Sequence, residues 1–136
     1  MLKKILVGTD TTASADLAVR DAAELARARG AELLVLYVAP EGDLRAVVDP
    51  GKAASPEAYL AALPQRFDGV ATTTRVEQGD PAERICEVAA DEGADTIVVG
   101  NRGVHGSWWR VRDSIPNLVL RHSPCSVYVV DTRKAQ

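Results

Sequence analysis

The chain has 136 residues, within the common size range of one folding domain, and 46% of them are hydrophobic, which excludes disorder as its organising principle. A formal net charge of −3 leaves no basic footprint for nucleic acid, and no apolar run approaches the ~20 residues of a membrane span. Cys86 and Cys125 lack metal or redox spacing, so free thiols in a reducing, cytoplasmic compartment are expected.

Residues 2–9 form a continuous apolar run, suited to a central parallel strand covered on both faces. Lys3 and Lys4 near its start are followed by too short an apolar stretch for a signal peptide. A helix over 14–29 follows. Leu17, Ala18, Ala22, Leu25 and Ala26 make its apolar stripe, Ser14 or Thr12 caps its start, and Gly30 ends it. Residues 32–38 read as the second strand. Residues 39–52 carry two prolines and two glycines and read as loop. Ser55 and Pro56 then open a short helix as N-cap and first helical residue, and Pro64 ends it. Residues 70–78 read as a third strand. Val70, Thr72, Thr74 and Val76 alternate with more polar neighbours, as expected of an edge or half-exposed strand. Asp80-Pro81-Ala82-Glu83 starts a helix with an acidic cap, a proline and a glutamate. Ile85, Val88, Ala89 and the aliphatic part of Glu92 set its buried face, and Gly93 closes it. Residues 96–99 form a fourth strand, a helix runs from about Ser114, and residues 126–131 form the fifth strand.

Between the fourth strand and the last helix lies the most informative stretch, Gly100-Asn101-Arg102-Gly103-Val104-His105-Gly106-Ser107. The order strand, glycine-rich loop, helix lets backbone N–H groups approach an anion such as phosphate. A Walker loop fails for want of lysine, and the dinucleotide fingerprint does not match after the first strand, where Gly8-Thr9-Asp10-Thr11-Thr12 stands. Strands alternating with helices predict a doubly wound α/β domain over 1–136, with a five-stranded parallel sheet and helices on both faces. Periodicity leaves two strand orders open, 3-2-1-4-5 and 2-1-3-4-5.

The loop resembles the phosphate loop of the universal stress protein family, whose nucleotide-binding members carry Gly, two residues, Gly, nine residues, Gly, then Ser or Thr. Gly100, Gly103 and Ser114 fit at the right spacing, and Asp113 stands in place of the third glycine. The resemblance covers nearly the whole chain. Lys4-Ile5-Leu6-Val7-Gly8-Thr9-Asp10 looks like the family's opening strand, and Glu32-Leu33-Leu34-Val35-Leu36-Tyr37-Val38 like its second. Gly79-Asp80-Pro81-Ala82-Glu83-Arg84-Ile85 resembles the segment before its third long helix, and Ser123-Pro124-Cys125-Ser126-Val127-Tyr128-Val129-Val130 its closing strand. Thr11-Thr12 departs from the family's frequent Gly-Ser.

The resemblance favours the order 3-2-1-4-5. That order sets Asp10 and Gly100 on two sides of one crevice, at the point where winding reverses and ligands bind. The implied nucleotide-binding set is Thr9, Asp10, Val38, Gly100, Arg102, Gly103, Asp113, Ser114 and Ile115. Asp10 would contact ribose or the adenine edge, Val38 would offer main-chain groups to adenine, and Gly100, Gly103 and Ser114 would hold phosphates. The implied cofactor is ATP or another adenine nucleotide, with Mg²⁺ beside its phosphates and Asp113 as a candidate ligand of the ion.

Plainer readings stand beside these. Asp10 at a strand end serves equally as a helix-start residue, and the glycines as a tight turn. His105 has no partner at ligand spacing, and His122 suits a helix C-terminus. Trp108 and Trp109 cannot both face one way in regular structure. Arg102, Arg110 and Arg112 flank the loop and raise the local anion concentration. Cys86 reads as a small core residue.

No nucleophile–base pair or metal cluster is apparent. The loop spacing and the resemblance together imply a cytoplasmic stress-response sensor or regulator that binds adenine nucleotide, and the resemblance implies that it is at most a slow ATPase. The alternative is a nucleotide-free dimeric module with a degenerate site. A remoter one is an adenylating enzyme, of whose first-strand loop Gly8-Thr9-Asp10-Thr11 keeps only part. Strand five, at a sheet edge and carrying Val127, Val129 and Val130, predicts a homodimer.

Overall fold

The computed structural model describes residues 3–39, 55–101 and 115–132. Arg102, Gly103, Asp113 and Ser114, with His105, Trp108, Trp109, Arg110 and Arg112, lie outside them. Five strands alternate with helices: β1 (Lys4–Thr9), α1 (Ala13–Arg29), β2 (Glu32–Ala39), α2 (Pro56–Ala62) with a 3₁₀ turn (Leu63–Gln65), β3 (Thr72–Gln78), α3 (Pro81–Glu92), β4 (Thr96–Gly100), α4 (Ile115–His122) and β5 (Ser126–Val130). The sheet is parallel throughout, in the order β3-β2-β1-β4-β5. The 3-2-1-4-5 alternative is thus the one adopted.

The core lies in two layers, one on each face of the sheet. Ile5, Val7, Leu33, Val35, Tyr37 and Val98 pack beneath α1 and α2, while Leu6, Leu34, Leu36, Val38, Ile97 and Val99 pack beneath α3 and α4. Neighbouring residues along the central strands enter opposite layers, which is why those strands are apolar at every position. Each large aliphatic side chain fully buried this way contributes about 1.5–3 kcal/mol. On α1 the stripe that reaches the sheet is Ala18, Val19, Ala22, Ala23 and Ala26, all fully buried, with Leu25 half-buried beside it. Small side chains there let the helix lie close to the sheet.

The helix ends follow local chemistry. Thr12, not Ser14, caps α1, and Ser55 and Asp80 cap α2 and α3, each accepting a backbone N–H three residues on. Gly30 and Gly93 close α1 and α3 with φ of 66° and 69°, a left-handed conformation that costs glycine little. Pro64 falls within the 3₁₀ turn after α2.

Several expectations are corrected. Ala39 belongs to β2, because it pairs with Gln78. Val70 precedes β3, although it is buried. β3 is an edge strand as expected, but the burial along it is not the simple alternation: Thr72 is buried, Thr74 and Val76 are exposed, and the half-buried Arg75 and Glu77 are ion-paired instead. Glu92 is half-buried and acts through its carboxylate, accepting from Lys4 at 3.0 Å and Arg75 at 2.9 Å. Cys86, by contrast, is a core residue as expected, buried in the α3–α4 layer.

Candidate functional site at the strand crossover

The site follows from where the ladders stop. β1 and β4 pair at Ile5↔Thr96, Leu6↔Ile97 and Val7↔Val98. Two residues further on, Thr9 comes level with Gly100. From β1 the chain winds outward through β2 and β3, then returns to β4 on the other side. The carboxyl ends of β1 and β4 therefore bound a crevice that no connection crosses directly. β1–β2 pairing ends at Thr9↔Tyr37, whereas β2–β3 pairing continues to Ala39↔Gln78. Val38 and Ala39 thus run beyond β1 on the crevice side.

Side-chain hydrogen bonds hold the β1–α1 turn. Thr9 Oγ1 accepts from the Thr11 backbone N–H at 2.9 Å. Asp10 Oδ1 accepts from the Thr12 N–H at 3.0 Å and from the Thr12 hydroxyl at 2.6 Å. Thr12 Oγ1 in turn accepts from the Ala15 N–H at 3.1 Å and so caps α1. Asp10 thus shapes the turn before the cap, as Asx side chains do. Thr9 and Asp10 are buried, at 1% and 5% exposure. Thr11 is the one non-glycine residue with positive φ among those described, at 69°. A β-branched side chain is rarely found there, so the turn stores strain beside the crevice.

Across the crevice, Gly100 ends β4 with no room for a side chain. A Cβ there would stand 2.6 Å from Thr132 Cγ2. Asn101 ties the same end to β5: its N–H donates to the Val130 carbonyl at 2.9 Å, and its Oδ1 accepts from the Thr132 N–H at 3.2 Å. Ile115 begins α4 and is buried in the α3–α4 layer. Val38 sends its side chain into that layer too, so only its backbone faces the crevice rim.

The described members of the expected set divide accordingly. Thr9, Asp10, Val38 and Gly100 gather at the carboxyl ends of β1, β2 and β4, and Ile115 anchors the helix behind them. Two residues at this rim were missed. Thr11 gives no sequence sign of its backbone, apart from standing where the resemblance has glycine. Tyr37 lies inside a strand apolar on both faces, so alternation does not single it out. Burial raises the pKa of the Tyr37 phenol, and the negative charges of Asp10 and Glu57 raise it further.

A polar clamp on the α1 side holds α2 in place. Arg66 donates to both carboxylate oxygens of Asp16 at 2.6 Å, and the Tyr59 hydroxyl donates to Asp16 as well. A separate groove of about 430 Å³ between α3 and α4 is lined by Ala82, Cys86, Leu118 and His122 with acidic neighbours, and no crevice residue reaches it. Among the described residues no group of His, Cys, Asp or Glu could hold a metal ion, and no helix is long and apolar enough to cross a membrane.

The universal stress protein family pattern matches residues 1–131. The chain belongs to the universal stress protein family. It is 33% identical to universal stress protein Sll1654 of Synechocystis over 96% of this chain and 86% of that one. It is 27% identical to universal stress protein YxiE of Bacillus subtilis, over 96% and 99%. A universal stress protein solved in complex with cAMP superposes with a TM-score of 0.75 at 26% identity, covering 96% of this chain and 97% of that one. Within the family's sheet, the crevice described here is formed by this chain's own Thr9, Asp10 and Gly100.

Proposed function

We propose that this universal stress protein binds an adenine nucleotide in the β1–β4 crevice and acts in the stress response as a cytoplasmic sensor or regulator. The observation that carries the reading is the buried Asp10 at the mouth of the strand reversal, where the β1–β4 ladder has ended and β2 runs on uncovered toward β1. The similar protein solved with cAMP supports an adenine ligand. The described residues suit the sugar and base end. Asp10 supplies an acceptor, the backbone of Val38 a purine edge, and Tyr37 a buried hydroxyl with no hydrogen-bond partner among the described residues. Phosphates fall to Gly100, Gly103 and Ser114 by resemblance, with Arg102 flanking them. With ATP, Mg²⁺ would accompany them.

Gly100 supports this reading less than its motif position suggests, because contact with Thr132 already requires a glycine there. A second reading, a nucleotide-free dimeric module, draws on Asp113, which sets a carboxylate where the resemblance has glycine. In both readings the dimer forms through β5, whose Tyr128 and Val129 are 47% and 40% exposed on the sheet edge.

Calorimetric titration with ATP and AMP, each with and without Mg²⁺, tests the nucleotide reading. Saturable binding of either is the expected result. No heat from either at millimolar ligand would leave the nucleotide-free module.

A further inference from the structure

Tyr37 sits in the last β1–β2 pair, directly across from Thr9. Cross-strand neighbours share a face, so the two side chains lie next to each other at the crevice rim. The tyrosine is 3% exposed, and its hydroxyl finds no hydrogen-bond partner among the described residues. Native proteins seldom leave a buried hydroxyl unsatisfied, because its lost hydration is not repaid. Even the half-buried phenol on this side of the sheet is satisfied, as Tyr59 donates to Asp16. Burial first, and then the negative charge of Asp10, raise the Tyr37 pKa and keep it a donor.

We infer that Tyr37 and Asp10 are a donor–acceptor pair that reads a sugar hydroxyl of the ligand, which makes Tyr37 a specificity determinant of the crevice. The inference rests on the nucleotide reading above. The chemistry selects the group. A phosphate oxygen would accept from Tyr37 but be repelled by Asp10. An adenine amino group would donate to Asp10 but cannot itself accept from Tyr37, which would need a ring nitrogen as a second contact, and an adenine so bound would leave the two deoxy analogues binding like AMP. A hydroxyl does both at once. A ribonucleotide would therefore satisfy the phenol that has no partner among the described residues, and the analogue lacking that hydroxyl would not.

The experiment compares wild type with Tyr37→Phe, which keeps the ring and removes the hydroxyl. AMP, 2′-deoxy-AMP and 3′-deoxy-AMP are titrated by calorimetry, and thermal unfolding of both ligand-free proteins is recorded. Wild type should bind one deoxy analogue about two- to tenfold more weakly than AMP. Tyr37→Phe should bind AMP more weakly by a similar factor and no longer discriminate against that analogue. Without ligand, Tyr37→Phe should unfold at a higher temperature, since an unsatisfied buried group is gone. Unchanged AMP affinity, retained discrimination, or a lower unfolding temperature of the ligand-free variant would overturn the inference while leaving the nucleotide reading intact. Absence of AMP binding by wild type would overturn this inference, and absence of ATP binding as well would overturn the nucleotide reading with it.

Discussion

Gly100 and Thr132 meet so closely that a methyl group on Gly100 would lie 2.6 Å from Thr132 Cγ2. Thr132 is 1% exposed and cannot swing into solvent. Gly100→Ala should therefore destabilise the protein by about 1–3 kcal/mol, the usual cost of overpacking. Thr132→Ser removes the γ-methyl and should restore part of that loss in the double variant. Urea unfolding of all four proteins measures the coupling. Strict additivity would mean that the strand end moves apart rather than straining.

Thr11 carries backbone strain at φ 69°. The left-handed conformation costs a non-glycine residue ~1–2 kcal/mol, while the extra freedom of glycine in the unfolded chain costs ~0.4–1 kcal/mol. Thr11→Gly should leave a net gain of a few tenths to about 1 kcal/mol, since the backbone N–H to Thr9 remains. The urea midpoint should rise without a change in slope. A lower midpoint would show that the threonine side chain supports the turn.

The Asp16 clamp predicts an acid dependence. Burial would raise the Asp16 pKa, but hydrogen bonds from Arg66 and Tyr59 and the charge of Arg66 outweigh it and hold the carboxyl below its ordinary 3.8. A group depressed in the folded state contributes stability above its unfolded pKa and loses that contribution as pH falls through the folded value. The stability gap between wild type and Asp16→Asn should therefore be constant near neutrality and shrink as pH drops from 3.8 downward. Denaturant titrations across that range provide the check. A gap that grows in acid would reverse the assigned direction.

Val129→Lys should convert a β5-paired dimer to monomer or aggregate, because the exposed edge carries Tyr128 and Val129 toward its mate. Light scattering of both proteins at equal concentration decides it. A monomeric wild type would end the proposal.

Asp113→Gly should tighten ATP binding in the absence of metal. One like-charge pair at 4 Å costs ~1 kcal/mol in water and ~4 kcal/mol at an effective dielectric near 20, so the gain spans several-fold to about a thousandfold. With Mg²⁺ the gain should shrink or reverse if Asp113 is a ligand of the ion. Identical affinities in all four titrations would place the carboxylate away from the phosphates.

Most element bounds were legible because the central strands are buried on both faces and the helices carry strong caps, whereas the strand order was open to periodicity and came from the family resemblance alone. The polar pattern of residues 70–78 rightly marked β3 as an edge strand, but not which of its positions are covered: Thr72 is buried while Thr74 and Val76 are exposed. Asp10 was legible as a turn or ligand residue, and it does hold the turn. Gly100 was read through its loop, whereas its steric reason lies in Thr132, whose proximity only the β4–β5 register creates. The left-handed backbone of Thr11 runs against the preference of its own side chain, so propensity could not reveal it.

The central position of β1 also bears on how the protein emerges from the ribosome. Residues 4–78 contain β1, β2 and β3 as adjacent sheet partners, so this half can pair as it is made. The other edge of β1 must wait for Thr96 and its neighbours, more than eighty residues later. During that interval the apolar Ile5, Leu6 and Val7 present an open strand edge, the kind of transient surface on which nascent chains aggregate. Synthesis of β4 closes that edge and, in the same step, creates the crevice, so the candidate site cannot form before the most vulnerable edge of the sheet is covered.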